Sequence, residues 1–210
     1  MPDSQQRKSR ASDYSGMLTA DENRFRNVLS VVRSFIRRTA ENSASVEGYA
    51  AHLEARINAY SRLLPWLGGD SEHGVSLGLL VADSLHAFAA REQEHFVLAG
   101  PEIRLDGKAA ESLGLALNEL ALNALEHGAL GNDGMIEVNW MADDRGLRLI
   151  WQETGLPFVP SFARPGFGLK VLKGALPFDL GAKVSHTANK NGLRWEIEIP
   201  RSAQWQRELA

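Results

Sequence analysis

The 210 residues include no cysteine. That absence excludes disulfides, thiolate zinc sites, iron–sulfur clusters and a cysteine nucleophile. Long apolar runs are missing as well, since none approaches the roughly 18 residues that a membrane span needs. Residues 1–20 are polar and mixed in charge and have no apolar stretch of the signal-peptide kind. Basic charge is not in excess: 23 Lys and Arg stand against 26 Asp and Glu, a net charge of −3. A nucleic-acid-binding domain usually carries a basic surplus, so the balance gives that class no general support. What is present is 44% hydrophobic and 23% charged. This is too apolar for wholesale disorder and suits one globular domain, or one domain with a helical appendage. The expectation is a cytoplasmic protein with no membrane span and no nucleic-acid partner.

Residues 1–20 show no periodicity and read as a flexible tail. From Asp21 onward Phe25, Val28, Leu29, Val32, Phe35 and Ile36 recur at three- and four-residue steps, which places them on one stripe of a helix. After a short polar break at 41–45, Val46, Ala50, Leu53, Ile57, Tyr60 and Leu64 make a heptad-like seam that Pro65 and Gly68-Gly69 close. Two amphipathic helices with so short a link form a hairpin, and a lone hairpin cannot bury its whole seam. Residues 21–67 are therefore expected to form a helical hairpin that makes a four-helix bundle in a homodimer. Arg24, Arg26, Arg33, Arg37 and Arg38 make the first helix basic, as a solvated face or as a dock for an acidic partner.

Residues 70–74 read as a linker. Beyond it the pattern predicts a helix over 77–90, short apolar segments at 96–98 and 103–105, and a long helix over about 109–127. Strands are expected at 135–141 and 147–152, joined through Asp143-Asp144-Arg145-Gly146. A further helix follows at 168–176, then a second hairpin of strands, 183–186 and 193–199, turning at Asn189-Lys190-Asn191-Gly192. This order suggests an α+β fold, a mixed sheet with helices on one face, over 75–200. Residues 201–210 read as a carboxy-terminal tail.

The chemistry concentrates in Leu115-Ala-Leu-Asn-Glu-Leu-Ala-Leu-Asn-Ala-Leu-Glu-His-Gly128. Glu119, Asn123 and His127 recur at four-residue steps as one polar stripe, beside an apolar stripe of Leu113, Leu117, Leu120 and Ala124. A carboxylate and a carboxamide one turn apart can orient a hydrated Mg²⁺, which reaches proteins through one or two side chains and phosphates. An ordinary amphipathic helix with a solvated edge gives the same pattern. Downstream, Trp151-Gln-Glu-Thr-Gly-Leu-Pro157 ends a strand and Pro165-Gly-Phe-Gly-Leu-Lys170 opens a helix. Glycines there let backbone N–H groups approach phosphate oxygens.

Taken in this order, the three elements resemble the catalytic core of HWE-type sensor histidine kinases, within the wider GHKL ATPase superfamily. The similarity runs from about Asp21 to Pro200. It implies a histidine-phosphotransfer-like hairpin followed by a Bergerat-type α/β sandwich that binds ATP with Mg²⁺. By resemblance Asn123 holds Mg²⁺, Glu119 acts as a base, and Glu153 of the Trp-x-Glu box hydrogen-bonds the adenine amine. His127, Gly155, Gly166, Gly168 and Lys170 complete the implied nucleotide site, and Arg164 is a further candidate for the phosphates. The implied partner is the receiver domain of a response regulator.

Two positions depart from the family pattern. The histidine that precedes the N-box glutamate is Asn118 here. The phosphoacceptor segment, His-Arg-x-Lys-Asn in the family, reads Asn23-Arg24-Phe25-Arg26-Asn27. A carboxamide nitrogen, its lone pair delocalised, cannot attack the γ-phosphoryl group as an imidazole does. His52 is the one histidine within the hairpin that could substitute. The expected function is a two-component signalling protein that binds Mg-ATP and acts on a response regulator as a phosphatase or by sequestration, degenerate in autophosphorylation. An active kinase with a non-standard acceptor and a nucleotide-free adaptor stay open. With no room beside these modules for an attached sensor, the input is expected from a partner or another chain.

Overall fold

The computed structural model describes residues 25–26, 28–37, 39–40, 43, 45–67, 74–88, 92–157, 167–201 and 205–207. Asn23, Arg24, Arg38, Arg164 and Gly166 lie outside them. The chain divides into two compact units, residues 1–57 and 58–210.

In the first unit, α1 is helical over residues 28–37 and at 25–26 and 39–40. The helix α2 (Val46–Leu67) follows. Ser45 starts it, its hydroxyl accepting the Gly48 N–H at 3.0 Å, a serine satisfying a donor that the first turn leaves open. Arg56 Nη1 donates to Thr39 Oγ1 at 2.9 Å and joins the two helices. Phe35 and Thr39 are buried, whereas Phe25, Leu29, Ile36 and Val46 stand exposed. The first helix thus hides one edge of its apolar stripe and offers the other to solvent.

The helix α2 runs on through Pro65 to Leu67. Proline removes only one N–H, and at the last turn few bonds depend on it. The division between the units falls inside α2, between Ile57 and Asn58. Residues 58–67 go with the second unit, where Ala59, Tyr60 and Leu63 are buried.

The second unit holds β1 (Val75–Ser76), α3 (Leu77–His86), β2 (Phe96–Ala99), β3 (Ile103–Leu105), α4 (Gly107–His127), β4 (Met135–Ala142) and β5 (Gly146–Thr154). These are followed by α5 (Phe167–Lys170), a π-turn (Val171–Ala175), α6 (Leu176–Leu180), β6 (Lys183–Asn189), β7 (Gly192–Pro200) and β8 (Trp205–Arg207). Five strands form a mixed sheet in the order β2-β4-β5-β7-β6, with β2 parallel to β4 and the other pairs antiparallel.

The strands alternate. In β4, Ile136, Val138 and Trp140 are buried while Glu137, Asn139 and Met141 are exposed. This period of two puts the apolar side chains on one face of the sheet. That face contributes Leu149, Trp151, Trp195 and Ile197 to the core, and the helices contribute Leu80, Leu113, Leu117, Leu120 and Leu176. The opposite face carries Arg148, paired with Glu196 and 3.8 Å from Glu198, and Arg194, 3.6 Å from Glu196.

Several expectations are corrected. The helix expected over 77–90 ends at His86, where the Phe88 N–H bonds to Leu85 and tightens the last turn. The helix expected over 168–176 runs from Phe167 to Leu180 with a π-turn inside. Pro177 has no N–H and would crowd the carbonyl of Lys173; the Leu176 N–H reaches back five residues to Val171 instead. The stretch read as a carboxy-terminal tail contains β8, which pairs with β3 in a second sheet, β1-β3-β8. Trp205 is buried there and donates its indole N–H to the Pro200 carbonyl at 3.2 Å.

At the edge strand β6, His186 stacks on Trp195 with ring centroids 4.6 Å apart. Burial, and secondarily the charge of Lys173, lowers its pKa below the ordinary 6.5. A histidine depressed in the folded state binds its proton more readily in the unfolded chain, so acid favours unfolding. Stability is therefore expected to fall as the pH drops below about 6.5, the unfolded value. His186→Phe, which keeps a ring on Trp195, should flatten that part of the stability–pH curve, as read by thermal melts between pH 5 and 7.5.

Candidate functional site

The site is built on α4. Asp106 caps its start, accepting the Ala109 N–H at 2.7 Å. Leu113, Leu117, Leu120 and Ala124, expected as the apolar stripe, are all buried against the core. That packing seats α4 on the core and decides the side on which its polar positions lie. Glu119 is itself buried, with 4% of its surface exposed, and is no part of a solvated edge. Asn123, one turn on, is half-buried.

Gly168 closes over this pair. A Cβ added at Gly168 would lie 2.9 Å from Asn123 Nδ2, 3.2 Å from Glu119 Cβ and 3.3 Å from a Glu119 carboxylate oxygen. The backbone that opens α5 therefore lies close against the Glu119 and Asn123 side chains, and a larger residue at 168 would have to push them aside. Glu119, Asn123 and Gly168, read from two segments about 45 residues apart, are brought together.

At the far end of α4 the chain turns at Gly128, and the Ala129 N–H donates to Glu153 Oε2 at 2.9 Å. The Trp151 indole N–H donates to Glu153 Oε1 at 3.1 Å. Glu153, at the end of β5, is 1% exposed. Burial raises its pKa above 4.5, and the Ala129 and Trp151 hydrogen bonds partly offset this. The Trp-x-Glu spacing is what makes the pair: two residues apart on a strand, both side chains face the same way. An ionised carboxylate has about four lone-pair sites, of which these donors occupy two, so capacity for a further donor remains.

Gly155 follows with φ +79°, a left-handed conformation that glycine adopts freely, and packs against the backbone of Gly134. Lys170 is exposed on α5. His127 is not brought into the cluster: its side chain is 77% exposed, 3.8 Å from Glu126 at the end of α4. Sequence reasoning missed the Gly128–Ala129 turn as the partner of Glu153. Its signal was the glycine after the last periodic residue of the helix, a common helix stop.

The arrangement fits a phosphate-bearing Mg²⁺ complex better than a metal held by protein alone. Among the described residues no group of three or more His, Cys, Asp or Glu could hold a metal ion. Mg²⁺ keeps waters and phosphate oxygens in its shell and needs one or two protein oxygens, which Asn123 and Glu119 can supply.

The α/β sandwich that carries this acid–amide pair and its neighbouring glycine has the fold of solved histidine kinase domains. Residues 22–102 match the family model described as HWE histidine kinase. The blue-light-activated histidine kinase of Rhizobium johnstonii is 30% identical over 193 residues, which cover 90% of this chain and 54% of that protein. The solved Erythrobacter litoralis EL346 blue-light activated histidine kinase has the same fold with a TM-score of 0.57 at 19% identity, covering 85% of this chain and 64% of that one. The histidine kinase domain of that protein gives a TM-score of 0.53 at 19% identity over 82% of this chain and 97% of that one. The HWE histidine kinase match thus covers residues 22–102, and the similarity to histidine kinases extends over most of the chain. It spans about half the length of the curated relative described above. Among the described residues no helix is long and apolar enough to cross a membrane.

Proposed function

We propose that the chain is a cytoplasmic two-component signalling protein that binds Mg-ATP on α4 and acts on the receiver domain of a response regulator without phosphorylating itself at residue 23. The observation that carries the nucleotide half is the close approach of Gly168 to Asn123 and Glu119. A backbone held there can present N–H groups to phosphate oxygens, Asn123 offers a neutral oxygen to the cation, and Glu119 holds a carboxylate beside them. When bound, Mg²⁺ neutralises phosphate charge. Glu153, kept in place by Trp151 and Ala129, retains acceptor capacity for an exocyclic amine. Gly155, Gly166 and Lys170 belong to the same proposed site, with the Gly166 and Lys170 assignments resting on the resemblance.

The observation that carries the second half is the residue at position 23, which is asparagine. Phosphotransfer to histidine forms a P–N bond from an in-plane imidazole lone pair and breaks the bond to the departing ADP oxygen. The amide lone pair of asparagine is delocalised into its carbonyl and does not do this. A carboxamide near a receiver's acyl phosphate can instead orient water, which supports a phosphatase role. The exposed apolar edge of α1, Phe25, Leu29 and Ile36, supports a homodimer through residues 21–67.

The test is phosphoryl transfer from γ-labelled ATP. The native chain is expected to take up no label, Asn23→His to become labelled, and the native chain to change the dephosphorylation rate of a phosphorylated receiver or to bind it. Labelling of the native chain that His52→Gln abolishes would instead support the kinase with another acceptor.

A further inference from the structure

Asn118 is buried beside Glu119, and its Nδ2 donates to the Gly114 carbonyl at 2.9 Å, which fixes the orientation of the amide. The Oδ1 so turned outward accepts from Arg62 Nη2 at 3.5 Å. Arg62 belongs to the last turns of α2, and its Nε lies 3.4 Å from Asp83 Oδ2 on α3. One guanidinium of α2 thus touches two further helices, α3 and α4, at the root of the candidate site.

The packing around it is close. Leu63 fills the notch left by Gly114: a Cβ there would lie 2.8 Å from Leu63 Cδ2 and 3.2 Å from Leu80 Cδ1. Tyr60 donates its hydroxyl to Glu111 Oε1 at 2.7 Å. Glu111, Gly114 and Asn118 stand at i, i+3 and i+7, one face of α4 given over to α2. Glu119 and Asn123 lie about 100° and about 140° round the helix from Asn118. A small rotation of α4 forced at Asn118 must swing both.

The joint is also incompletely bonded. Arg62 Nε is buried without a hydrogen-bond partner although the Asp83 carboxylate is 3.4 Å away, off the N–H direction. A buried donor in that state costs free energy that a slight shift of α2 against α3 would recover.

We propose that Arg62 is a positioning residue for nucleotide binding. Through Asn118 it sets the rotation of the helix that carries Glu119 and Asn123, and a displacement of α2 changes nucleotide affinity by this route. The inference rests on the reading of α4 as an Mg-ATP site and adds its means of control. It also gives Asn118, where the family pattern has histidine, a role in this chain: an amide can donate to Gly114 and accept from Arg62 at once.

The experiment is calorimetric titration of the full chain with Mg-ATP, for the native protein, Arg62→Ala, Asn118→Leu and the double variant, with melting temperatures taken alongside. Each single variant is expected to weaken binding about fivefold or more, and the double variant no further than the weaker single one, because both remove one connection. By reciprocity, Mg-ATP should slow amide exchange over residues 58–67 in the native chain and not in Asn118→Leu. If Arg62→Ala fails to fold, Arg62→Lys keeps the charge beside Asp83, loses the arm that reaches Asn118, and is expected to weaken binding similarly. Native affinity retained in the folded single variants, fold-changes that multiply in the double, or α2 exchange indifferent to nucleotide would overturn the role of Arg62 alone. Absence of Mg-ATP binding by the native chain would overturn the nucleotide reading and this inference with it.

Discussion

Glu153→Ala is expected to destabilise the second unit by about 3 kcal/mol, a fall in melting temperature of roughly 6–12 °C for a chain of this size. The substitution leaves the Trp151 indole N–H and the Ala129 N–H without their acceptor in a buried position, and it opens a void. Orphaned buried donors cost about 1–3 kcal/mol each, which outweighs whatever is regained by no longer burying a carboxylate. Glu153→Gln keeps the volume but offers an oxygen to only one donor while its NH₂ meets the other, so about half the loss is expected. The pH dependence has a definite sign. Since the pKa of Glu153 is raised above 4.5 in the folded state, its contribution is fullest at acid pH and declines as pH climbs from there through the folded value. Glu153→Gln should remove that slope. Native-like melting of Glu153→Ala would mean that the buried carboxylate does not hold the turn after α4.

Asn123→Ala is expected to act differently, on binding and hardly on stability. Its side chain is half-buried beside Gly168, and the core stripe of α4 does not depend on it. Loss of an oxygen that serves a charged group costs about 1.5–3 kcal/mol, which is about 10- to 100-fold in the dissociation constant for Mg-ATP. The same titration without Mg²⁺ should show little difference between native chain and variant, because the amide acts on the cation. Equal Mg-ATP affinity in the two proteins would remove Asn123 from the site.

Much of this arrangement is legible in the order of residues. The apolar stripe of α4 recurs without a break, so both the helix and the direction of its polar positions follow from periodicity. Alternation in β4 and β7 gives the strands and their buried faces. The Trp-x-Glu pair is legible in the same way, since a period of two puts both side chains inward. Other features depend on tertiary partners that no local pattern announces. The heptad-like seam of α2 reads as uniform from Val46 to Leu64, yet Val46 is exposed and Tyr60 is buried against the α/β unit. Burial there depends on Gly114, whose missing side chain admits Leu63 from some fifty residues away. The strand β8 is short and polar in two of its three positions, and only its pairing with β3 makes it a strand. Periodicity put Glu119 on a polar stripe, and the proximity of α5 buries it. His127 shares that stripe but lies beyond the reach of α5, and it remains in solvent.

The most direct test is a calorimetric titration of the native chain with ATP, run once with Mg²⁺ and once with a chelator. Saturable binding at micromolar affinity that needs the cation is the expected result, and it would establish α4 and its glycine neighbour as a working nucleotide site in a chain whose residue 23 cannot be phosphorylated as histidine is. A native, folded chain that gives no binding heat in either condition, and no shift in melting temperature with Mg-ATP, would contradict it.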